Sequence, residues 1–173
     1  MTTVAPRSVP LPRALRAPAP RLRPACPADA TALAELARPF VCSGALRDRP
    51  LALYTERAAD FVVAEGPGGL LEGCLALRVY PADAGEGRGP TGVLYNFCVA
   101  GHSQGRGVGA GLLRAALARS RARSLDALFT ATTGDGGLFL RHGFAPAAVS
   151  GAPRAWAKSL DPRRNARVLA LTW

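Results

Sequence analysis

One segment constrains this chain more than any other: Val99-Ala100-Gly101-His102-Ser103-Gln104-Gly105-Arg106-Gly107-Val108-Gly109-Ala110. The apolar stretch Val93–Val99 is dense enough to be a strand buried on both faces. It runs into a glycine-rich turn, and the turn opens a helical pattern with Val108, Leu112, Ala116 and Leu117 on one side. At such a junction the first N–H groups of the helix have no intrahelical acceptor, and the helix dipole adds partial positive charge. Glycines let the backbone approach an anion without a Cβ in the way. The segment therefore predicts a phosphate or pyrophosphate site. Gly105-x-Gly107-x-x-Ala110 formally fits a dinucleotide fingerprint, with Asp126 about twenty residues on. Against that reading, five residues separate Val99 from Gly105, and Asp126 precedes the next strand instead of ending it. Too little chain follows for a doubly wound sheet. No Gly-Lys-Ser/Thr follows the glycines, which excludes a P-loop.

Around this junction the pattern alternates between strands and helices. Arg21-Leu22-Arg23, Phe61-Val62-Val63-Ala64, Leu70–Tyr80, Ala127–Thr133, Phe144–Val149 and Arg167–Leu171 read as strands. Gly66-Pro67-Gly68-Gly69 makes 61–80 a hairpin, and residues 81–92 a polar loop. Helices are expected from an Asp29 cap to about Arg38, over Pro50–Ala59, and over Asp135–His142, with Gly143 as a left-handed C-cap. The fold class is α/β (α+β): a mixed sheet with helices on both faces. Residues 1–20, rich in Pro and Arg and without an acidic residue, are expected to form a disordered tail, with a targeting segment as the alternative; residues 21–173 form the domain.

A net charge of +10 first suggests a polyanionic partner. However, the cations are 21 Arg and one Lys (Lys158), scattered along the chain, and aromatic residues make up only 6%. Scattered Arg suits a small anionic ligand better than nucleic acid. No apolar run approaches the ~18–20 residues that span a bilayer. Cys26, Cys42, Cys74 and Cys98 have no zinc spacing, so no metal is expected. Cys74 and Cys98 fall inside apolar strands, where a free Cys packs as a small hydrophobe. The usage fits a reducing compartment, and a cytoplasmic location is expected, with organellar import left open by residues 1–20.

The loop resembles the pyrophosphate loop of the GNAT superfamily of N-acetyltransferases, Gln/Arg-x-x-Gly-x-Gly/Ala, matched by Gln104-x-x-Gly107-x-Gly109. The order strand, loop, helix, strand and short helix ending in Arg141-His142-Gly143-Phe144 is similar over about residues 21–172. The resemblance implies a mostly antiparallel sheet and acetyl-CoA as cosubstrate. It implies that Gln104, Gly105, Arg106, Gly107, Val108, Gly109 and Ala110 cradle the pyrophosphate, and that Phe97, Cys98 and Val99 pair with the pantetheine arm. Within the superfamily the chain resembles the N-acetylglutamate synthase branch. The similar segments are Ser43-Gly44-Ala45-Leu46 with Arg49, Asp60–Glu65, Gly73–Leu77, Leu128–Thr133, Phe139-x-x-x-Gly143-Phe144 and Arg163–Leu169. That implies acetylation of an amino acid, best glutamate, in arginine biosynthesis, with Arg49, Arg163, Arg164 and Asn165 on the acceptor. The partner expected is this small molecule, with neither nucleic acid nor membrane; a homodimer stays open. The kinase-like domain of many synthases is not among these residues, which puts feedback regulation by arginine in doubt.

Many superfamily members carry Glu in the strand Val93–Val99, but here it has no carboxylate. Tyr95, Asn96 and His102 are the polar candidates for moving a proton. Where the superfamily often places a Tyr acid, this chain has Phe139, as in the synthase branch. Two alternatives follow: a GNAT enzyme acting on another amine, or a catalytically silent acyl-CoA-binding module.

Overall fold

The computed structural model describes residues 18–173. The tail expected over residues 1–20 therefore lies, except for 18–20, outside the described residues. The elements run β1 (Arg21–Pro24), α1 (Ala30–Cys42), α2 (Leu51–Glu56), β2 (Phe61–Glu65), β3 (Leu71–Tyr80), β4 (Thr91–Val99), α3 (Val108–Ala122), β5 (Ala127–Thr132), α4 (Gly137–Arg141), β6 (Ala145–Pro146), α5 (Arg154–Ser159) and β7 (Arg167–Thr172). One seven-stranded sheet has the order β1-β2-β3-β4-β5-β7-β6. Every neighbouring pair is antiparallel except β4 and β5.

Helices cover both faces. On one side Leu75, Leu77, Leu94 and Leu128 of the sheet pack with Leu112 and Leu113 of α3 and Phe139 of α4. On the other, Phe61, Val63 and Cys74 pack under Leu33 of α1 and Tyr54 of α2, while Val93, Phe129 and Val168 meet Trp156 of α5. At Gly73 α3 lies close against the sheet: a Cβ there would sit 2.9 Å from Leu112 and 3.1 Å from the Cys98 carbonyl.

Several boundaries differ from the sequence reading. α1 continues through Pro39 to Cys42. The missing proline N–H strands only the carbonyl of Glu35, an exposed residue whose carbonyl water can satisfy, while Phe40 gains packing against the core. The second helix is shorter than expected, ending at Glu56 and followed by a 3-10 turn at Ala58–Asp60. β4 starts two residues early, at Thr91, and β6 shrinks to Ala145–Pro146. α5 was not foreseen. The left-handed cap at Gly143 is present, at φ 90°. There the N–H of Phe144 donates to the Phe139 carbonyl and that of Gly143 to Leu140, and the two Phe rings meet edge-on at 5.4 Å.

Asp29 does not cap α1 with its side chain. Its carboxylate instead accepts from the Cys26 N–H at 2.8 Å and, with both oxygens, from Arg23 at 2.8 and 2.9 Å; Arg23 also bonds Glu65. The Arg23 guanidinium, helped by the Cys26 N–H, holds the Asp29 carboxyl well below the usual carboxylate range. A lowered folded-state pKa stabilises above the unfolded value of ~3.9, and that contribution is lost as pH falls below it. Asp29→Asn is expected to cost about 2 kcal/mol at neutral pH in urea melts. The deficit should shrink below about pH 4; a deficit constant down to pH 2 would deny the ion pair this role.

The decisive irregularity lies in β4. Cys74 pairs with Cys98 but Ala76 with Tyr95, so Leu75 faces two residues, Asn96 and Phe97. Asn96 absorbs the extra residue in the left-handed region, at φ 51°. Side-chain alternation breaks there: Leu94 and Phe97 face α3, whereas Tyr95 and Cys98 face α1. On its other edge β4 pairs with β5 only from Thr91 to Val93. Beyond that the strands part, and a cleft begins.

Candidate functional site

The glycine-rich loop leaves the end of β4 and is fastened from both sides. Gln104 Nε2 donates to the Val99 carbonyl at 3.0 Å, and the buried Ser103 hydroxyl donates to Glu72 of β3 at 3.0 Å. Gly105 and Gly107 lie at φ 70° and 84°, and Gly107 is the N-cap of α3. A Cβ at either would meet nothing within 4 Å, so they are needed for backbone conformation and open approach. No acceptor among the described residues takes the N–H of Gly105, Arg106 or Gly107. The first helical residues, Val108, Gly109 and Ala110, add N–H groups without intrahelical acceptors. Gly109 has a separate task, since a Cβ there would press on Phe97 at 3.3 Å and Leu138 at 3.4 Å. The loop thus leaves a run of backbone N–H groups without protein acceptors among the described residues.

Where β4 and β5 part, a cleft of about 900 Å³ opens on the α1–α5 side. Among the described residues its guanidinium groups are Arg47, Arg49, Arg57, Arg78 and Arg164, and its one carboxylate is Asp161. Tyr95, Asn96, Phe97, Phe139, Trp156 and Asn165 are also among its walls. Arg49, from the α1–α2 connection, lies 5.1 Å over the Tyr95 ring. Its Nε is sealed from solvent with no partner. Desolvation is the chief reason its pKa falls below the ordinary value. Arg164 enters from the loop before β7 and donates through Nη2 to the carbonyls of Gly44 and Ala45, at 2.7 and 2.9 Å. Asn165 stands beside it in a left-handed turn at φ 47°.

The other sequence candidates separate. Arg163 is exposed and outside the cleft lining; only its N–H is engaged, to Asp161. His102 is likewise exposed, on the 3-10 turn Gly101–Ser103 away from the cleft. The Tyr95 hydroxyl donates to Asp60 at 3.0 Å, and burial, reinforced by that carboxylate, pushes its pKa well up. Asn96 is buried, with Oδ1 unpartnered among the described residues. Cys98 turns into the α1-side core, its Sγ 3.6 Å from that of Cys74, and the hydrogen bond with that thiol, together with burial, raises its pKa far beyond the ordinary thiol value. Both are free thiols packed as hydrophobes. Sequence reasoning missed Arg78, Asp60 and Trp156. Arg78 was accessible in principle, because it shares strand parity with Ala76, and so a face with Tyr95. Asp60 and Trp156 reach the site through long-range packing that no local pattern signals.

A model of the acetyltransferase (GNAT) domain matches residues 57–146. An amino-acid acetyltransferase of Ralstonia nicotianae is 36% identical over 148 residues, covering 86% of this chain and 31% of that protein. A second, from Azotobacter vinelandii, is 33% identical over 153 residues, covering 86% and 33%. Among solved structures, N-acetylglutamate synthase from Neisseria gonorrhoeae, complexed with coenzyme A and N-acetyl-glutamate, superposes with a TM-score of 0.78 at 27% identity, covering 88% of this chain and 34% of that one. This chain spans about a third of the length of these three relatives. Rv2747 from Mycobacterium tuberculosis, in complex with CoA and NLQ, shares the fold over 99% of its own chain, with a TM-score of 0.73 at 22% identity. With the family model spanning more than half of its residues, and the glycine-rich loop inside that span, this chain belongs to the GNAT acetyltransferases.

Proposed function

We propose that this chain transfers an acetyl group from acetyl-CoA to the α-amino group of an amino acid with a second carboxylate, glutamate being the best candidate. The observation that carries the reading is the cleft's polar lining: among the described residues, five guanidinium groups against one carboxylate, with Arg49 unpaired. A partly buried guanidinium without an anion carries a desolvation cost that a carboxylate ligand would offset. Fork-shaped donors also suit carboxylates bidentately. The amino-acid acetyltransferases it resembles, and the synthase complexed with N-acetyl-glutamate, support the same class of acceptor.

The loop's free N–H groups fit a pyrophosphate, and the gap between β4 and β5 fits an extended arm beside Phe97–Val99. Bound acetyl-CoA supplies an activated thioester. The protein's own contribution is to hold the acceptor amine against it and keep that amine neutral. No carboxylate on β4 is available as a base, and Tyr95 stays protonated on Asp60. The positive field of the cleft offers another route, because it disfavours an ammonium and lowers the acceptor's own pKa. Water can then carry the proton out. Phe139 sits buried between Phe97 and Phe144, at 5.6 and 5.4 Å. If the leaving thiolate needs no side-chain acid, Phe139→Tyr should leave kcat within a few-fold. A gain of about 10²-fold would show that its protonation limits turnover.

The test is thiol release from acetyl-CoA across a panel of amino acids. Glutamate should lead, and acceptors lacking a side-chain carboxylate should fall at least about tenfold in kcat/KM, the worth of one charge-assisted contact. A thermal shift with acetyl-CoA but no thiol release from any amine would favour the silent acyl-CoA-binding module, which the missing base on β4 also suits.

A further inference from the structure

We propose that Tyr95 is a positioning residue for the acceptor: tethered to Asp60, its ring is the platform that holds the Arg49 guanidinium ready for a carboxylate. This rests on the acceptor reading above and names the residue that makes Arg49 competent.

Arg49 makes no hydrogen bond or ion pair among the described residues, and its Nε is closed off from solvent. What fixes its guanidinium is the face of Tyr95, at 5.1 Å. Such a contact stabilises a cation through the ring quadrupole without neutralising it. A carboxylate in the same place would fix the side chain equally well but would compete with the ligand for its donors. An aromatic platform holds the fork and leaves its charge and N–H groups to the acceptor.

The ring is itself restrained at two points. Its hydroxyl donates to Asp60 Oδ2 at 3.0 Å. Its edge meets Phe61 at 5.7 Å with the planes at 72°, and Phe61 leans on Tyr54 at 5.8 Å. Asp60 is anchored through its main chain, whose carbonyl accepts from Arg119 of α3 at 3.2 Å; Arg119 also bonds the Ala59 carbonyl. A continuous set of contacts therefore runs from α3, the helix that opens at the glycine-rich loop, through Asp60 and Tyr95 to Arg49. Tyr95 is also the last residue of β4 before the bulge, so its ring faces the Arg-lined side while Phe97 faces the other.

The experiment varies glutamate at saturating acetyl-CoA for the parent chain, Tyr95→Leu, Tyr95→Phe, Arg49→Ala and the Arg49→Ala/Tyr95→Leu double variant. Tyr95→Leu should raise KM for glutamate about five- to tenfold, within the range of a partly desolvated cation–π contact. KM for acetyl-CoA should stay within about twofold, and Tyr95→Phe, which keeps the ring, should stay within about threefold for glutamate. In the Arg49→Ala background, Tyr95→Leu should add less than about twofold, because the two act as one unit. If Tyr95→Leu melts before assay temperature, Tyr95→Met, close in volume without an aromatic face, carries the same expectation. An equal penalty in both backgrounds, or a fall in kcat with glutamate KM unmoved, overturns the proposal. Arg49→Ala without effect on glutamate KM would instead refute the acceptor reading itself, whatever Tyr95→Leu does.

Discussion

Replacing Arg49 with alanine is expected to raise KM for a dicarboxylic acceptor by about ten- to a hundredfold, since hydrogen bonds to charged groups are worth about 1.5–3 kcal/mol. The cost should fall on the acceptor alone: Arg49 lies in the cleft, whereas the glycine-rich loop sits at the far end of β4. Removing Arg49 takes away an unpaired, partly desolvated charge, so the apo protein should melt no lower than the parent. Arg164→Ala should behave differently. Its Nη2 braces the Gly44 and Ala45 carbonyls, so losing it frees the connection that carries Arg47 and Arg49 as well as its own remaining donors. Arg164→Lys should recover only part, because an ammonium cannot span two carbonyls and face a carboxylate at once. Equal losses at Arg49 for glutamate and for an acceptor without a side-chain carboxylate would move Arg49 to the α-carboxylate. No loss for either would remove it from the site.

Gly107→Val should abolish the stabilisation conferred by acetyl-CoA, worth about 2.7 kcal/mol at a hundred times Kd. At φ 84° a branched side chain strains the backbone by about 1–3 kcal/mol, yet its Cβ would meet nothing within 4 Å. The variant should therefore fold, with a lower Tm and a flat response to ligand. Gly109→Val is the less clean test, since its Cβ presses on Phe97 and Leu138 and disturbs the core as well. A thermal shift retained in Gly107→Val, or one produced by NADH and not by acetyl-CoA, would break the link between this turn and the donor.

The parts of the molecule legible in the sequence are those set by local rules. The strand–glycine–helix junction, the β2–β3 hairpin and the Gly143 cap each depend on residues within a few positions of one another, and each is present. α5 escaped because Arg154–Ser159 is barely more than one turn with a single large apolar residue, Trp156, and it is held by packing on Phe129 of β5. α1 overran its predicted end because packing of Phe40 against the core outweighs what Pro39 costs the helix. Within the site, Arg49 and Arg164 were legible by resemblance. Their difference was not: the bracing of the Gly44–Ala45 connection by Arg164 spans about 120 residues. Arg163 sits one residue from Arg164 yet lies outside the cleft, because the turn Pro162–Arg164 points adjacent side chains in different directions.

The extra residue at Asn96 works as a change of reading frame within one strand. Before it, odd-numbered positions of β4 serve the Arg-lined side; after it, even-numbered ones do. Were Asn96 drawn into ordinary β geometry with no residue removed, Phe97 would come into phase with Tyr95, pulled away from Phe139 and Gly109, and Cys98 would turn toward α3. Excising Asn96 is the opposite case: Leu75 would then face Phe97 alone, ordinary alternation would resume, and every residue downstream would keep its present side of the sheet. What the extra residue fixes is thus which compartment each later side chain furnishes, with composition left unchanged.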